Sequence, residues 1–562
     1  MKKIAIVAVL GFMPLVGAFA QQDTTVNRTV IVENEYNPTV MDASKINVMP
    51  QMNEPKATKK NINYATSLRP VSAWDYQAMS PVVREWESAT AYRGYLRGGY
   101  GNNGNVDLAA GYLWDISKRD RLNVSASLDG HNYEAEDMDG EDWKNRFYRT
   151  KAGLDYRHSF NKVDFLLGAD FRSQVFNYMP SPVYDGGLSE AGVYPQHQTL
   201  LGGYWGVAST DKDMPIQFAF SAGMKYFKMK HETMDMQSGS ENNLYVTGDV
   251  WKKLNDGNRM GVEVKFDNYS YSLKVFDDYR AYDMDNATAI DLNPYYSMEN
   301  DQWRLRIGVN VDWWGGDEDK VFISPDVLAE YVFAEKYVLY GQAVGGRKTN
   351  SFYNLSSQFS PYWVTDRLIS SYTSMDASVG LKGSPVNGFW FNLTGGYRIC
   401  EDDLNPYLRP DSRSTLTALA QGKSKVFYGR VEMEYDYKDL WNIHLNGTYY
   451  NWKWEDLYNP NEPEGVSCLY EDCGLKPELE INGGIGVKAM EGLNVNLGYE
   501  YVKRCNQVYE PVNNLYMGAT YDLFKNLQIY GKVNNLLNKD YVRADAYPAQ
   551  GLNFLAGATF QF

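Results

Sequence analysis

The chain is poor in the residues that build most catalytic and metal centres. Its 562 residues include only 5 His and 4 Cys, and no two histidines lie at a spacing that metal sites use. No glycine-rich phosphate loop follows an apolar strand. A net charge of -15 and an aromatic content of 15% are unlike those of nucleic-acid-binding proteins and disordered chains. We therefore expect no enzyme, no resident cofactor and no nucleic-acid partner.

Long apolar runs are also scarce, and one lies at the start of the chain. Lys2 and Lys3 precede an apolar run at residues 4–16, and Ala18-Phe19-Ala20 has the pattern of a signal-peptidase site. Residues 1–20 therefore predict a signal peptide. An uncleaved anchor is the alternative, but the run is short for a spanning helix. No later stretch reaches about 20 apolar residues, so any later segment in lipid must belong to a closed β-barrel.

From residue 88 onward, apolar and polar residues alternate over long runs. In residues 303–313, for example, Trp303, Ile307 and Trp313 share the apolar phase, and residues 441–449 and 493–501 follow the same pattern. A soluble β-sandwich also alternates, but its strands cluster near about five or six residues, whereas a strand that crosses lipid needs about ten. Because such alternation averages to a polar composition, the mean hydropathy of -0.49 agrees with a transmembrane barrel.

Short polar turns give an independent count of strands. The ten turns lie at residues 117–120, 161–162, 211–213, 255–258, 299–301, 334–336, 384–388, 438–439, 491–492 and 525–526. Short turns face the periplasm in outer-membrane barrels and longer loops face outside. Ten turns therefore predict an all-β, antiparallel barrel of about 22 strands over residues 88–562, with the strand at 288–296 the least regular.

Residues 21–87 differ in character from the barrel. They contain one strand-like run, Thr29-Val30-Ile31-Val32, followed by sequence rich in Asn, Pro and Lys. We predict a short extended N-terminal arm that lies in the periplasm or in the lumen.

The end of the chain carries the most specific signal. Residues 527–541, Tyr547-Pro548 and residues 551–562 resemble the final hairpin of TonB-dependent outer-membrane receptors, and residues 303–340 resemble the middle strands of that family. The resemblance implies an integral barrel in the outer membrane, with 22 strands. In the last strand Phe554, Phe560 and Phe562 share one phase, which resembles the C-terminal signal for barrel insertion; the alternative is that Phe562 merely ends a strand.

The resemblance does not extend to the N-terminal region. Members of the family carry a folded plug domain much longer than the 67 residues of the arm. Thr29, Val30, Ile31, Val32 and Glu33 resemble only weakly the segment that pairs with TonB, and an arm that docks by strand addition or lies in the lumen is the stronger alternative. Because a barrel of this size is normally plugged, the arm, inward-folded loops or a partner protein must fill the lumen.

Three smaller groups of residues are candidate sites. Cys468 and Cys473 share one outer loop and are a possible disulfide in an exported protein, with Cys400–Cys505 as a second pairing and free thiols as the alternative. Acidic clusters on outer loops could bind calcium, although a solvated acidic surface is the stronger interpretation. The polar residues expected to face the lumen are Arg304, Arg306, Asp312, Lys532 and Asn534. These five could contact a solute, but cross-bracing of the wall is the stronger interpretation.

Two functions remain. In the first, the barrel transports a nutrient or oligomer across the outer membrane, gated by the arm and, in one version, by TonB. In the second, it is a non-transporting structural subunit of an envelope complex with a surface lipoprotein or periplasmic partner. Loss of residues 21–87 should change uptake or leakage in the first case and leave permeability intact in the second.

Overall fold

The computed structural model describes most of the chain after residue 91. The described ranges are 92–136, 142–178, 194–211, 213–231, 238–255, 257–272, 274–277, 280–283, 286–316, 319–358, 370–408, 417–438, 440–458, 476–505, 510–544 and 547–562. The predicted signal peptide, arm and TonB-pairing segment lie outside them.

Twenty-two antiparallel strands form one closed sheet. In chain order β1 to β22 are Gly94–Gly101, Val106–Asp115, Asp120–Glu136, Asp142–Ser159, Val163–Tyr178, Tyr194–Ser209, Gln217–Met229, Ser240–Asn255, Asn258–Ser272, Ala287–Glu299, Trp303–Gly315, Lys320–Phe333, Tyr337–Lys348, Ser371–Gly383, Phe389–Leu408, Thr417–Tyr437, Trp441–Tyr458, Pro477–Met490, Leu493–Arg504, Val512–Phe524, Leu527–Asn534 and Asn553–Gln561. Each strand pairs with the next, and β1 closes the barrel against β22 with Tyr95 opposite Gln561. A short helix, α1, spans Phe352–Gln358.

The expected strand count is confirmed. Every one of the ten expected turns separates two successive strands, and the least regular strand is present as β10, between β9 and β11. The first described strand begins at Gly94.

The strands present their apolar side chains outward. Ile307, Leu445 and Leu497 on β11, β17 and β19 are 50%, 42% and 41% exposed, whereas polar Asp312 and Ser324 are only 3% and 2% exposed. A soluble sandwich would bury the first group and expose the second. A closed sheet leaves no strand edge unpaired in lipid, so these strands satisfy the backbone inside a bilayer. The chain is therefore an integral outer-membrane β-barrel. Among the described residues no helix is long and apolar enough to cross a membrane.

The end of the chain closes the barrel. A terminal oxygen of Phe562 accepts hydrogen bonds from the backbone N–H groups of Arg93 and Gly94, at 2.8 and 2.9 Å. The Phe562 ring stacks on Tyr112 of β2 and on Phe560. Phe554, Phe560 and Phe562 all face outward and are 53%, 40% and 47% exposed. Their role as an insertion signal stays a prediction.

A tyrosine clamp spans the seam between the last and first strands. Tyr530 on β21 lies over Gly557 of β22, where an added Cβ would come within 2.7 Å of the ring. Its hydroxyl donates to Asp107 of β2 at 3.2 Å, and Asp107 also pairs with Arg97 of β1 at 2.7 Å. The clamp therefore ties together four strands across the closure. Elsewhere in the wall, the same arrangement of a tyrosine over a glycine joins Tyr204 to Asp155, Tyr295 to Asp249 and Tyr428 to Asp376.

Candidate functional site: the lumen and its outer mouth

Ion pairs brace the inner wall around Arg306. This guanidinium contacts Glu263 of β9 at 2.8 Å and Asp326 of β12 at 2.7 Å, and it lies 4.0 Å from the centroid of the Tyr295 ring. One side chain on β11 therefore connects four adjacent strands. Arginine suits this role because its planar fork can bond two carboxylates at once.

The other polar residues expected to face the lumen also contact the wall. Arg304 pairs with Glu299 and Glu330, at 2.9 and 3.3 Å. Asp312 accepts the backbone N–H of Arg347 at 3.1 Å. The contacts of the remaining two are Lys532 with Asp107 at 3.4 Å and Asn534 with Asn553 at 3.2 Å. Arg304, Arg306 and Asp312 share β11, whereas Lys532 and Asn534 lie near the seam, so the five do not converge on one site.

A loop that folds into the lumen is the main feature that sequence reasoning missed. Residues 349–358, here called the lumenal loop, leave the outer end of β13 and form α1. Phe352 is 2% exposed and packs with Leu200, Phe227 and Met229 of β6 and β7, and the Phe352 and Phe227 ring centroids are 5.2 Å apart. Leu355 is also 2% exposed. An apolar cluster therefore holds α1 against a distant part of the wall.

Polar contacts fix the lumenal loop on two more strands. A carboxylate oxygen of Glu241, on β8, accepts the backbone N–H of Tyr353 at 3.0 Å, and Arg172 of β5 donates to the Tyr353 hydroxyl at 3.0 Å. Since β5 is eight strands from β13 around the barrel, the loop crosses the lumen rather than lining its own strand.

Glu241 lies above the lipid-facing band and is almost fully buried. The outward-facing side chains at its level, Asn242 and Lys228, are polar and exposed. Burial raises the pKa of Glu241 to about 7, even though the N–H groups of the lumenal loop and the Ser351 hydroxyl favour its charged form. A carboxyl group at the loop's contact with the wall therefore changes charge near neutral pH.

The loop between β21 and β22 covers the outer end of the seam where β22 meets β1. Residues 535–552, here called the seam loop, are fixed by amides: Asn535 Nδ2 donates to the carbonyls of Lys539 and Gln550, at 2.9 and 3.1 Å. Gln550 exchanges hydrogen bonds with Asn105, in the loop after β1. The Tyr547 ring meets Trp143 of β4 edge-on at 5.8 Å. The two loops therefore both narrow the outer mouth, with contacts to the neighbouring strands β4 and β5.

The two described cysteines contradict one of the expected pairings. Cys505 is disulfide-bonded, whereas Cys400 is a buried free thiol, so a Cys400–Cys505 bond is wrong. Cys468 and Cys473 lie outside the described residues. The expected Cys468–Cys473 bond therefore stays a prediction.

The acidic loops remain a surface prediction. Much of these clusters lies outside the described residues, and within the described part of the chain no group of three His, Cys, Asp or Glu side chains could hold a metal ion.

The length of the connection between β13 and β14 was the only sequence signal for the lumenal loop, because long connections are often functional.

Comparison with known proteins establishes the fold. No protein-family model and no curated protein matches the chain. The siderophore receptor PiuA from Acinetobacter baumannii aligns at 12% identity with a TM-score of 0.62, over 84% of this chain and 82% of that one. The FrpB iron transporter from Neisseria meningitidis aligns at 10% identity and 0.63, over 84% and 82%. A mutant of the ferric enterobactin receptor PfeA from Pseudomonas aeruginosa aligns at 12% and 0.63, over 84% and 81%. The chain has the 22-stranded barrel of TonB-dependent outer-membrane receptors.

Proposed function

We propose that the protein is an outer-membrane transporter of a nutrient or oligomer whose lumen is kept closed by its own lumenal loop. The contact of α1 with β5 to β8, across the lumen from β13, carries this proposal. A wide barrel left open would leak solutes, and the buried Phe352 cluster with Glu241 and Arg172 is a specific closure. The solved structures with a similar fold include an iron transporter and a siderophore receptor, which supports transport as the class of function.

The proposal also assigns roles to the N-terminal region, at the periplasmic end of the barrel. Residues 1–20 act as a signal peptide, and the arm at 21–87 enters β1 from the periplasmic side, where Tyr92 donates to the Lys525 carbonyl in the turn after β20 and Arg93 donates to Phe562. We assign the arm to closing the periplasmic end of the lumen, with residues 29–33 as a weak candidate for contact with TonB. Phe554, Phe560 and Phe562 are assigned to insertion of the barrel.

Conductance in planar bilayers tests the closure. The complete protein should give small or rare currents, and deletion of residues 350–358 should give large steady ones. Deletion of residues 21–87 should increase solute leakage in cells. Deletion of residues 462–466, in the connection between β17 and β18, serves as the control. Large steady currents through the unchanged protein would contradict a closed lumen.

A non-transporting scaffold is the second candidate, and the same buried loop favours it. A lumen filled by a well-packed loop suits a barrel that serves as a structural subunit. In that case deletion of 21–87 leaves permeability intact but removes co-purifying proteins, such as a surface lipoprotein, after gentle detergent extraction. Transport predicts the opposite pair of results.

A further inference from the structure

A cluster of cations and indoles lies on the inner wall at the outer ends of β15 to β18. Trp452 and Trp454 of β17 face inward and stack, with ring centroids 6.1 Å apart and an interplanar angle of 8°. The Arg398 guanidinium lies 5.4 Å from the Trp452 ring centroid, and Lys476 Nζ lies 5.0 Å from it and 5.7 Å from that of Trp454. The indoles therefore hold two cations over one patch of wall.

The patch carries more positive than negative charge. Its carboxylate is Asp403, 3.7 Å from Lys476 Nζ and hydrogen-bonded by Ser424 at 2.7 Å. Burial by itself would raise the pKa of Asp403, but Lys476, Ser424, Arg398 and Lys348 together hold it below its usual value. Among the described residues of the patch, one carboxylate therefore faces the two cations Arg398 and Lys476.

Two donors of the patch have no partner within the described part of the chain. Arg398 makes no hydrogen bond and no ion pair there, and its Nε is buried. The indole Nε1 of Trp454 is buried and unpaired as well. The neighbouring Trp452, in contrast, donates to the Pro477 carbonyl at 2.8 Å. A half-buried guanidinium and a buried N–H without acceptors are costly unless another molecule supplies the acceptor.

We propose that this patch binds an organic anion with at least two carboxylate or phosphate groups. Arg398 can bond one such group in bidentate fashion, Lys476 neutralises the second, and the Trp454 N–H supplies a further donor. Because donors outnumber acceptors, a neutral sugar or a cation fits poorly. The inference rests on the proposed function only in regarding the anion as cargo, since binding itself does not require transport.

Calorimetric titration of the full-length protein in detergent and low salt tests the site, with citrate and inorganic phosphate as probes. We expect either probe to bind, and the tighter one identifies carboxylate or phosphate as the preferred group. Arg398→Gln should weaken binding at least tenfold, and Trp454→Phe, which keeps the ring, about threefold. Lys453→Gln is the matched control, because Lys453 is on the same strand but 74% exposed on the outer face.

Folding of each variant is checked by heat-modifiable migration in gels, so that loss of binding is not confused with loss of the barrel. Absence of heat with both probes, or equal binding by Arg398→Gln and the unchanged protein, would overturn the site. Because the readout is binding, a protein that binds citrate but carries nothing across the membrane would refute the transport function and leave the site standing.

Discussion

The lumenal loop and the seam loop narrow the same mouth but are held by different forces. The lumenal loop inserts Phe352 into an apolar cluster, buries Leu355 and donates a backbone N–H to Glu241 of β8. The seam loop depends on amide side chains, chiefly Asn535 and Gln550, that bond loop carbonyls and a neighbouring loop.

This difference implies different behaviour. Apolar burial is non-directional and large per side chain, so removing one ring weakens the whole contact. Hydrogen bonds between amides are directional, and the seam loop has several of them. Removal of one amide therefore destabilises the loop less than loss of a buried ring, but it changes the geometry of the loop. The lumenal loop also contains a titratable group at its contact, whereas the amides of the seam loop do not titrate. The first loop is therefore suited to switching and the second to permanent closure of the seam.

Truncation of the Phe352 ring should have the largest effect. Phe352→Ala removes the ring packed on Phe227 and leaves a cavity, which should cost docking of the lumenal loop about 3–5 kcal/mol. Single-channel recording should then show frequent openings, and hydrogen exchange should increase in residues 349–358 but not in 535–552. Leu537→Ala, at an exposed apolar site of the seam loop, should change neither. Unaltered currents in Phe352→Ala would show that this cluster does not close the lumen.

A change of pH should have the next largest effect, and it should act on the lumenal loop but not on the seam loop. When α1 is undocked, water reaches Glu241 and its pKa returns toward 4.5, whereas in the docked loop it is about 7. As pH rises from about 4.5 to 7, the undocked state loses its proton first, so docking weakens by at most about 3 kcal/mol. Openings should therefore be rarer at pH 5 than at pH 8.

Glu241→Gln is the control for this effect. Its openings should be independent of pH over that range, as should hydrogen exchange in the seam loop. A pH dependence that persists in Glu241→Gln would assign the switch to another group.

The barrel was predictable from sequence because the alternation of residues and the short turns that specify it act locally and recur in every hairpin. The alternation in residues 303–313 places Ile307 in lipid and Arg306 in the lumen whatever the neighbouring strands are, and each short turn restricts two strands to be neighbours. Strand number and pairing follow from these rules alone.

The lumenal loop and the disulfide were not predictable in the same way. Phe352 packs on Phe227 across the lumen, and nothing in the local pattern of either segment specifies that partner. Likewise, nothing in the local sequence shows that Cys400 is a free thiol while Cys505 is disulfide-bonded. The two cations on Trp452, Arg398 and Lys476, come from segments far apart in the chain, so no sequence motif predicts them.

Substitution of Asn535 should weaken the seam loop by a smaller amount. Asn535 has a φ of 50°, a conformation that glycine adopts freely and alanine does not. Asn535→Gly should remove the amide bonds at a cost of about 1–2 kcal/mol, and Asn535→Ala should add about 1 kcal/mol of backbone strain. Hydrogen exchange in residues 535–552 should rise in that order and stay unchanged in the lumenal loop. Equal effects of the two substitutions would show that the amide, not the backbone, sets the loop's geometry.

The smallest effect should come from the tyrosine clamp beneath the seam loop. Tyr530→Phe keeps the ring over Gly557 but removes the hydrogen bond to Asp107, at a cost of about 1 kcal/mol. Tyr428→Phe removes the matching bond to Asp376 far from the seam. If the barrel opens first where β22 meets β1, Tyr530→Phe should lower the temperature of heat-modified migration more than Tyr428→Phe and should speed exchange in the seam loop alone. An equal decrease of this temperature in both variants would mean that the barrel unfolds as one unit and that the seam is no less stable than the rest of the wall.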